Sequence, residues 1–243
     1  MWVRAPAARG THSGDCMKDL LDIFLQPGPV LARQYEKPDG WLPMLVISAA
    51  GAVFTYLYFS AVDVAWFFRE SVERGGQELS AAEAAAMERS ADNPAFIWTS
   101  TIGSLLGMMV YLLVWAVYFL LAGKLTGLAV SFKQGLGLAG WASMPSLIGT
   151  LLGLYGTVGM APQTFIGDLA LTSLDPMLMQ LPPESPWKTV ATSFNLLNLW
   201  VIGLAALGWK LWNRDAGWTK PIVVAALPFI LIHGYQVIRA LMA

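Results

Sequence analysis

The spacing of charges constrains this chain more than any other property. Between Asp39 and Asp63 lie 23 residues without Asp, Glu, Lys or Arg. Between Asp92 and Lys124 there are 31, and between Lys133 and Asp168 there are 34. Lys188 to Lys210 leaves 21, and Lys220 to Arg239 leaves 18. A helix needs about 20 apolar residues to cross the hydrocarbon core of a bilayer. Five gaps therefore predict five transmembrane helices, at about 42–65, 96–121, 134–158, 190–211 and 220–240. Helix is the open-chain solution there, because lipid offers nothing to an unpaired backbone amide.

Composition excludes the soluble alternative. Charged residues make up 13% of the chain, against about 25% in an average globular protein. Core helices of a soluble protein keep a polar stripe, and these segments are apolar all round. A single cysteine, Cys16, rules out an internal disulfide framework and a multi-cysteine metal site. His12 and His233 are the only histidines, so no metal site is expected. There is no HExxH, Walker loop or GxGxxG fingerprint, and no cofactor is expected. No basic patch interleaved with aromatics suggests nucleic acid.

The third span is the unusual one. FKQGLGLAGWASMPSLIGTLLG, residues 132–153, holds five glycines and a proline. In water such residues weaken a helix. In a membrane, small residues let helix backbones approach closely. Gly135, Gly137, Gly140, Gly149 and Gly153 are the candidate packing positions, with Gly149 and Gly153 forming a GxxxG pair. Gly103 and Gly107 form another on span 2. Pro145 removes one backbone hydrogen bond and should kink span 3. Neighbouring helices must then satisfy the freed carbonyl, which predicts that span 3 is central.

Five spans put the termini on opposite sides, and Lys and Arg select the side. The face holding the N-terminus carries ten of them: Arg4, Arg9, Lys18, Arg33 and Lys37 in the tail, with the rest in the loops at Lys124–Lys133 and Lys210–Lys220. The opposite face carries five. The N-terminus is therefore expected in the cytoplasm and the C-terminus outside. Trp41, Trp66, Trp98, Trp187, Trp209, Trp212 and Trp218 fall near span ends, where amphipathic rings favour the interface.

Residues 1–16 lack an apolar h-region and read as a disordered extension rather than a signal peptide. Met17 opens a more convincing start, which makes 17–243 a single membrane domain. Residues 17–26 form a short amphipathic helix ending before Pro27, and 29–36 a second. They either lie on the cytoplasmic membrane surface or pack on neighbouring loops. Ser80 and Glu83 make a capping box for a small external helix. Span 1 is expected to run on to Arg74, followed by Gly75–Gly76. The segment 159–188 is too apolar for a free linker and too broken for a span. It either lies in the outer interface or folds back over the bundle.

This pattern is specific. FLQPGPVLARQYEKPDGWLPMLVI leads into span 1, VSFKQGLGLAGWASMP opens span 3, and FNLLNLWVIGLAALG precedes a basic loop and a last span with LPFIL. Together these stretches resemble the Yip (Ypt-interacting protein) domain family of five-span membrane proteins, over about residues 20–240. The resemblance implies an all-α polytopic bundle of five transmembrane helices. Eukaryotic members are linked to Rab GTPases, vesicle traffic and membrane shaping. The short tail here departs from their long cytoplasmic tail, so GTPase binding does not follow. The chain looks like a prokaryotic-type member, for which the family supplies no settled activity.

Ionisable and polar residues inside a membrane are functional candidates by default. Asp63 follows the apolar run of span 1, where water and the interface also explain it. His233 sits within span 5, as a proton carrier or as a neutral bond between helices. Asn195 and Asn198, three apart on span 4, share a helix face and are expected to clamp another helix or the carbonyl freed by Pro145. These four form the candidate polar cluster. The reading that follows is a non-enzymatic inner-membrane scaffold or adaptor. It acts through the lipid bilayer, protein partners or a homo-oligomer. The alternative is a small transporter or channel with a polar site among spans 3, 4 and 5. A Ser104–His233 hydrolase dyad is the remote third.

Overall fold

The computed structural model describes residues 12–74, 80–91, 93–213 and 217–242. It is an all-α bundle, with no strand among the described residues. Three helices are long and apolar enough to cross a membrane: α3 (Trp41–Ala61), α6 (Ala95–Thr126) and α11 (Thr219–Met242). The remaining α-helices are α1 (His12–Leu25), α2 (Pro27–Glu36), α4 (Val64–Arg74), α5 (Ala81–Ala91), α7 (Phe132–Ala142), α8 (Ser146–Gly156), α9 (Lys188–Ser193) and α10 (Leu197–Trp212), with two short helical turns at Ile166–Leu169 and Asp175–Met179. The segment between α8 and α9 forms a cover over one end of the bundle, here the far end. The α1–α2 pair closes the near end.

The expected third span is a broken pair, with α7 and α8 bent by 45° at 143–145. Pro145 has no N–H to give the Trp141 carbonyl, which instead accepts from Met144 N at 3.3 Å. The freed group is thus met locally and not by Asn195 or Asn198. Centrality belongs to α7 alone: Gly135 through Ala142 are all buried, whereas α8 buries only Gly153.

The fourth span differs from the expected continuous helix over 190–211. It is interrupted at 194–196, and α10 has 16 residues, about 24 Å at the usual helical rise. The cause is the cover. Leu174 N donates to Phe194 O at 3.0 Å, and Leu196 N donates to Thr172 O at 2.9 Å. Backbone groups in a membrane must be satisfied, and here a passing segment replaces the helical partners. Span 1 also stops early, at Ala61, and α4 is a separate helix. Asp63 makes the break: its N–H donates to Pro162 O at 2.8 Å, and its carboxylate accepts from Trp66 N at 3.0 Å. The expected Gly75–Gly76 hinge and residues 1–11 lie outside the described residues. α1 begins at His12, inside the stretch expected to be disordered. Once the stripe at Leu20 and Phe24 packs, each preceding residue adds a hydrogen bond at little cost.

Two joints show how the sequence sets the path. Gly127, at φ +80°, ends α6 in a left-handed cap, a conformation that favours glycine. Ser131 and Gln134 then form a capping box that starts α7. Gln134 Nε2 also donates to Tyr35 O at 2.6 Å, so one side chain ties α7 to the end of α2. A third joint concerns Pro228 within α11. It leaves the Val224 carbonyl without its helical donor, and the Tyr118 hydroxyl of α6 donates to it at 2.6 Å. Tyr118→Phe should therefore destabilise the bundle by about 1–3 kcal/mol, the cost of an orphaned buried acceptor. Thermal unfolding in detergent checks this, and an unchanged midpoint would refute it.

The main core gathers Leu31, Leu112, Phe119, Leu138, Trp141 and Trp209 from α2, α6, α7 and α10. Of the two expected positions for the N-terminal helices, the structure takes the packed one for α2: Val30 and Leu31 are wholly buried. Trp212 Nε1 donates to Leu31 O at 2.9 Å, and Trp141 Nε1 donates to Asp39 O at 2.7 Å. Trp209 and Trp212 are thus core residues rather than interfacial ones, because α2 covers them. Trp41, Trp98 and Trp218 remain exposed.

On α5 the capping box is present. The Ser80 N–H and hydroxyl donate to Glu83 at 2.9 and 2.7 Å. These bonds hold the Glu83 carboxyl below the usual carboxylate range. A depressed folded-state pKa contributes stability above the unfolded value and loses it as pH falls through the folded one. Protection of the first-turn amides of α5, followed by NMR, should hold at neutral pH and fall at acid pH. Ser80→Ala should raise the Glu83 titration toward the ordinary value.

Candidate functional site

Three helices and the cover line a half-open cavity of about 220 Å³ at the far end. Phe54 of α3 forms one wall, Gly149 and Gly153 of α8 another, and Asn198 of α10 a third. Thr172 of the cover and Asn195 at the α9–α10 break complete it. The glycines bring α8 close. A Cβ on Gly149 would lie 3.2 Å from Leu197 Cδ1, and one on Gly153 would lie 3.1 Å from the Phe54 ring.

Asn195 is fixed on both sides of its amide. Its Oδ1 accepts from Leu197 N at 2.9 Å, which caps α10. Its Nδ2 donates to Thr172 Oγ1 at 2.8 Å. Asn195 and Asn198 do not share a helix face, since Asn195 precedes the helix, but both line this cavity.

The other two members of the expected cluster lie elsewhere. His233 packs on the Phe194 ring at 5.4 Å between centroids. Its Nδ1 is 3.2 Å from Gln236 Oε1, which also accepts from Ser193 Oγ at 2.6 Å. It thus belongs to a bond between α9 and α11. Asp63 is an exposed helix cap. Ser104 faces Gly51 of α3, so it and His233 sit against different parts of the bundle.

The remaining expected glycines serve the near half. A Cβ on Gly135 would lie 2.5 Å from Ala116 O. On Gly137 it would meet Gln34 Oε1 at 2.6 Å, and on Gly140 the Pro43 ring at 2.8 Å. A Cβ on Gly103 or Gly107 would meet nothing within 4 Å, so among the described residues this pair brings no other helix close.

Sequence reasoning missed the clasp that holds the cover. Lys188 Nζ binds the Asp175 carboxylate at 2.5 Å and Leu181 O at 3.0 Å. Asp175, 2% exposed, also accepts from Leu181 N. Arg74 pairs with Glu70 at 2.7 Å, reaches Asp168 at 3.8 Å and stacks over Phe165 at 4.1 Å. Tyr58 OH donates to Thr164 O at 2.9 Å. The cover thus folds back over the bundle, one of the two positions the sequence left open. The signal available was charge pairing across the segment, Asp168 and Asp175 facing Arg74 and Lys188.

The Yip1 domain profile matches residues 21–238. "Membrane protein YknW" from Bacillus subtilis (strain 168) is 24% identical over 209 residues, covering 84% of each chain. No solved structure matches. The exposed apolar faces of α3, α6 and α11 are what such a membrane protein turns to lipid.

Proposed function

The chain belongs to the Yip1 domain family, and on that premise we propose that it is a non-catalytic membrane scaffold that holds protein partners or lipid. The observation that carries this reading is the filled centre. Leu112, Leu138 and Trp141 are fully buried, and Trp209 is 1% exposed, where α6, α7 and α10 meet. Interiors are packed as densely as organic crystals, so a solute path between the two ends would have to displace these side chains. His233 is not among the residues that line the far cavity, which speaks against the polar route expected of a carrier. In this reading α9 and α10 together complete a fifth crossing. Ten Lys and Arg on the N-terminal face against five opposite support a cytoplasmic N-terminus, and in this reading the membrane is a prokaryotic inner membrane.

The test is purification of the tagged chain from its own membranes in a lipid-preserving polymer, followed by native mass spectrometry. A stoichiometric protein or retained lipid is expected. Proteoliposomes of the same chain should stay as tight to small polar solutes as empty vesicles. Saturable solute uptake would overturn the scaffold in favour of a carrier.

A further inference from the structure

We propose that the far cavity is a lipid site, and that it takes a lipid whose polar region is uncharged, such as a diacylglycerol with its esters and free hydroxyl. The inference rests on the reading of a protein that holds rather than transports.

The chemistry of the lining selects the occupant. No residue bordering the cavity is charged. Asp168 of the cover faces Arg74 and Lys188, so an ion entering the cavity would find no counter-charge on its walls. Desolvating an unpaired charge there is costly. Two groups, however, keep unused hydrogen-bonding capacity. Thr172 Oγ1 accepts from Asn195, but among the described residues its own proton goes to no acceptor. The Asn198 amide borders the cavity, and its side chain has no hydrogen-bond partner among the described residues. Both residues are half-buried, and inside a membrane such groups gain from a bonding partner. They ask for an occupant that both accepts and donates, as an ester carbonyl and a hydroxyl do together.

The setting selects lipid over a soluble polar molecule. Phe54, Ile166, Leu169 and Leu197 supply apolar wall. Leu152 and Leu199, one residue from Gly153 and Asn198, are exposed on the outside of the same helices, where acyl chains run. A lipid can therefore place its glycerol region between Asn198 and Thr172 while its chain follows the exterior of α8.

Photo-crosslinking of the full chain in phosphatidylcholine vesicles tests this. The probe is a diacylglycerol carrying a diazirine near the glycerol end of one acyl chain. Adducts should concentrate in residues 146–156 and 195–200. In the Asn198→Leu, Thr172→Val double variant they should fall about tenfold, as loss of the anchoring hydrogen bonds implies. Adducts on the exposed face of α6 should stay unchanged. A phosphatidic acid probe with the same chain should label the cavity no more than α6. Should the double variant fail to fold, competition on the unaltered chain serves instead: unlabelled diacylglycerol must suppress the cavity adducts and spare those on α6. Even labelling along all lipid-facing helices, equal labelling by the anionic probe, or indifference to competitor would each overturn the site. Labelling of the cavity together with saturable solute flux would keep the site and remove the scaffold reading.

Discussion

Gly135→Ala is expected to lower the unfolding midpoint of the purified protein by about 2–12 °C, whereas Gly103→Ala is expected to leave it level or raise it slightly. Both changes add one methyl group to a glycine in an apolar helix. At Gly135 the new Cβ would lie 2.5 Å from Ala116 O and 3.2 Å from its carbonyl carbon. Those are backbone atoms, so α6 and α7 must separate. Overpacking of this kind costs about 1–3 kcal/mol, and 1 kcal/mol moves the midpoint of a chain this size by about 2–4 °C. Gly103 has nothing within 4 Å, and alanine is the better helix former by about 1 kcal/mol. Gly40→Ala should behave like Gly135→Ala, since its Cβ would meet the Leu136 and Gly137 backbone at 2.5 to 2.7 Å. Differential scanning fluorimetry in one detergent compares all three. Equal midpoints for Gly135→Ala and Gly103→Ala would show that close approach of α6 and α7 is not what the glycines provide.

Lys188→Met should open the cover while leaving the near half folded. Asp175 is almost wholly buried, and Lys188 is the cation bonded to it. Removing one partner of a buried pair costs about 3–5 kcal/mol, because the remaining charge is stranded. The cover is tied separately from the main core, so the loss should appear as local opening. Amides of 166–181 should lose protection by about a hundredfold in hydrogen exchange, with those of α7 unaltered. Adding Asp175→Asn, which keeps an acceptor for Leu181 N, should restore part of the protection. Unchanged exchange in the single variant would mean that the Tyr58 and Arg74 contacts and the backbone bonds at Thr172 and Leu174 hold the cover without the Lys188 pair.

Charge gaps made α3, α6 and α11 legible, because the absence of charge is a long-range signal that needs no partner. The breaks were less visible. Asn195 reads as one polar residue in an apolar run, yet its oxygen caps α10 two residues on. The capping chemistry is local and could have been read. The backbone bonds from Thr172 and Leu174 that sustain the break come from 20 or more residues away, and no periodicity reports them. For the same reason four polar residues looked like one cluster. Asn195 and Asn198 do line one cavity, but the placement of His233 beside Gln236 follows from how α11 packs on α9. Trp209 and Trp212 sat at a span end, which suits an interface; only the docking of α2 turns that end into interior.

That docking sets an order on biosynthesis. The Leu31 carbonyl receives its indole donor from Trp212, 181 residues later in the chain. At about 5–20 residues per second of synthesis, the α2 carbonyl waits roughly 10–40 s for that partner. Until then α2 can pack on α1 and α7, but the side that meets α10 has only the lipid surface or a chaperone to lie against. The first helices made are thus among the last to settle, and a chain stalled before α10 carries its incompleteness as an exposed N-terminal segment.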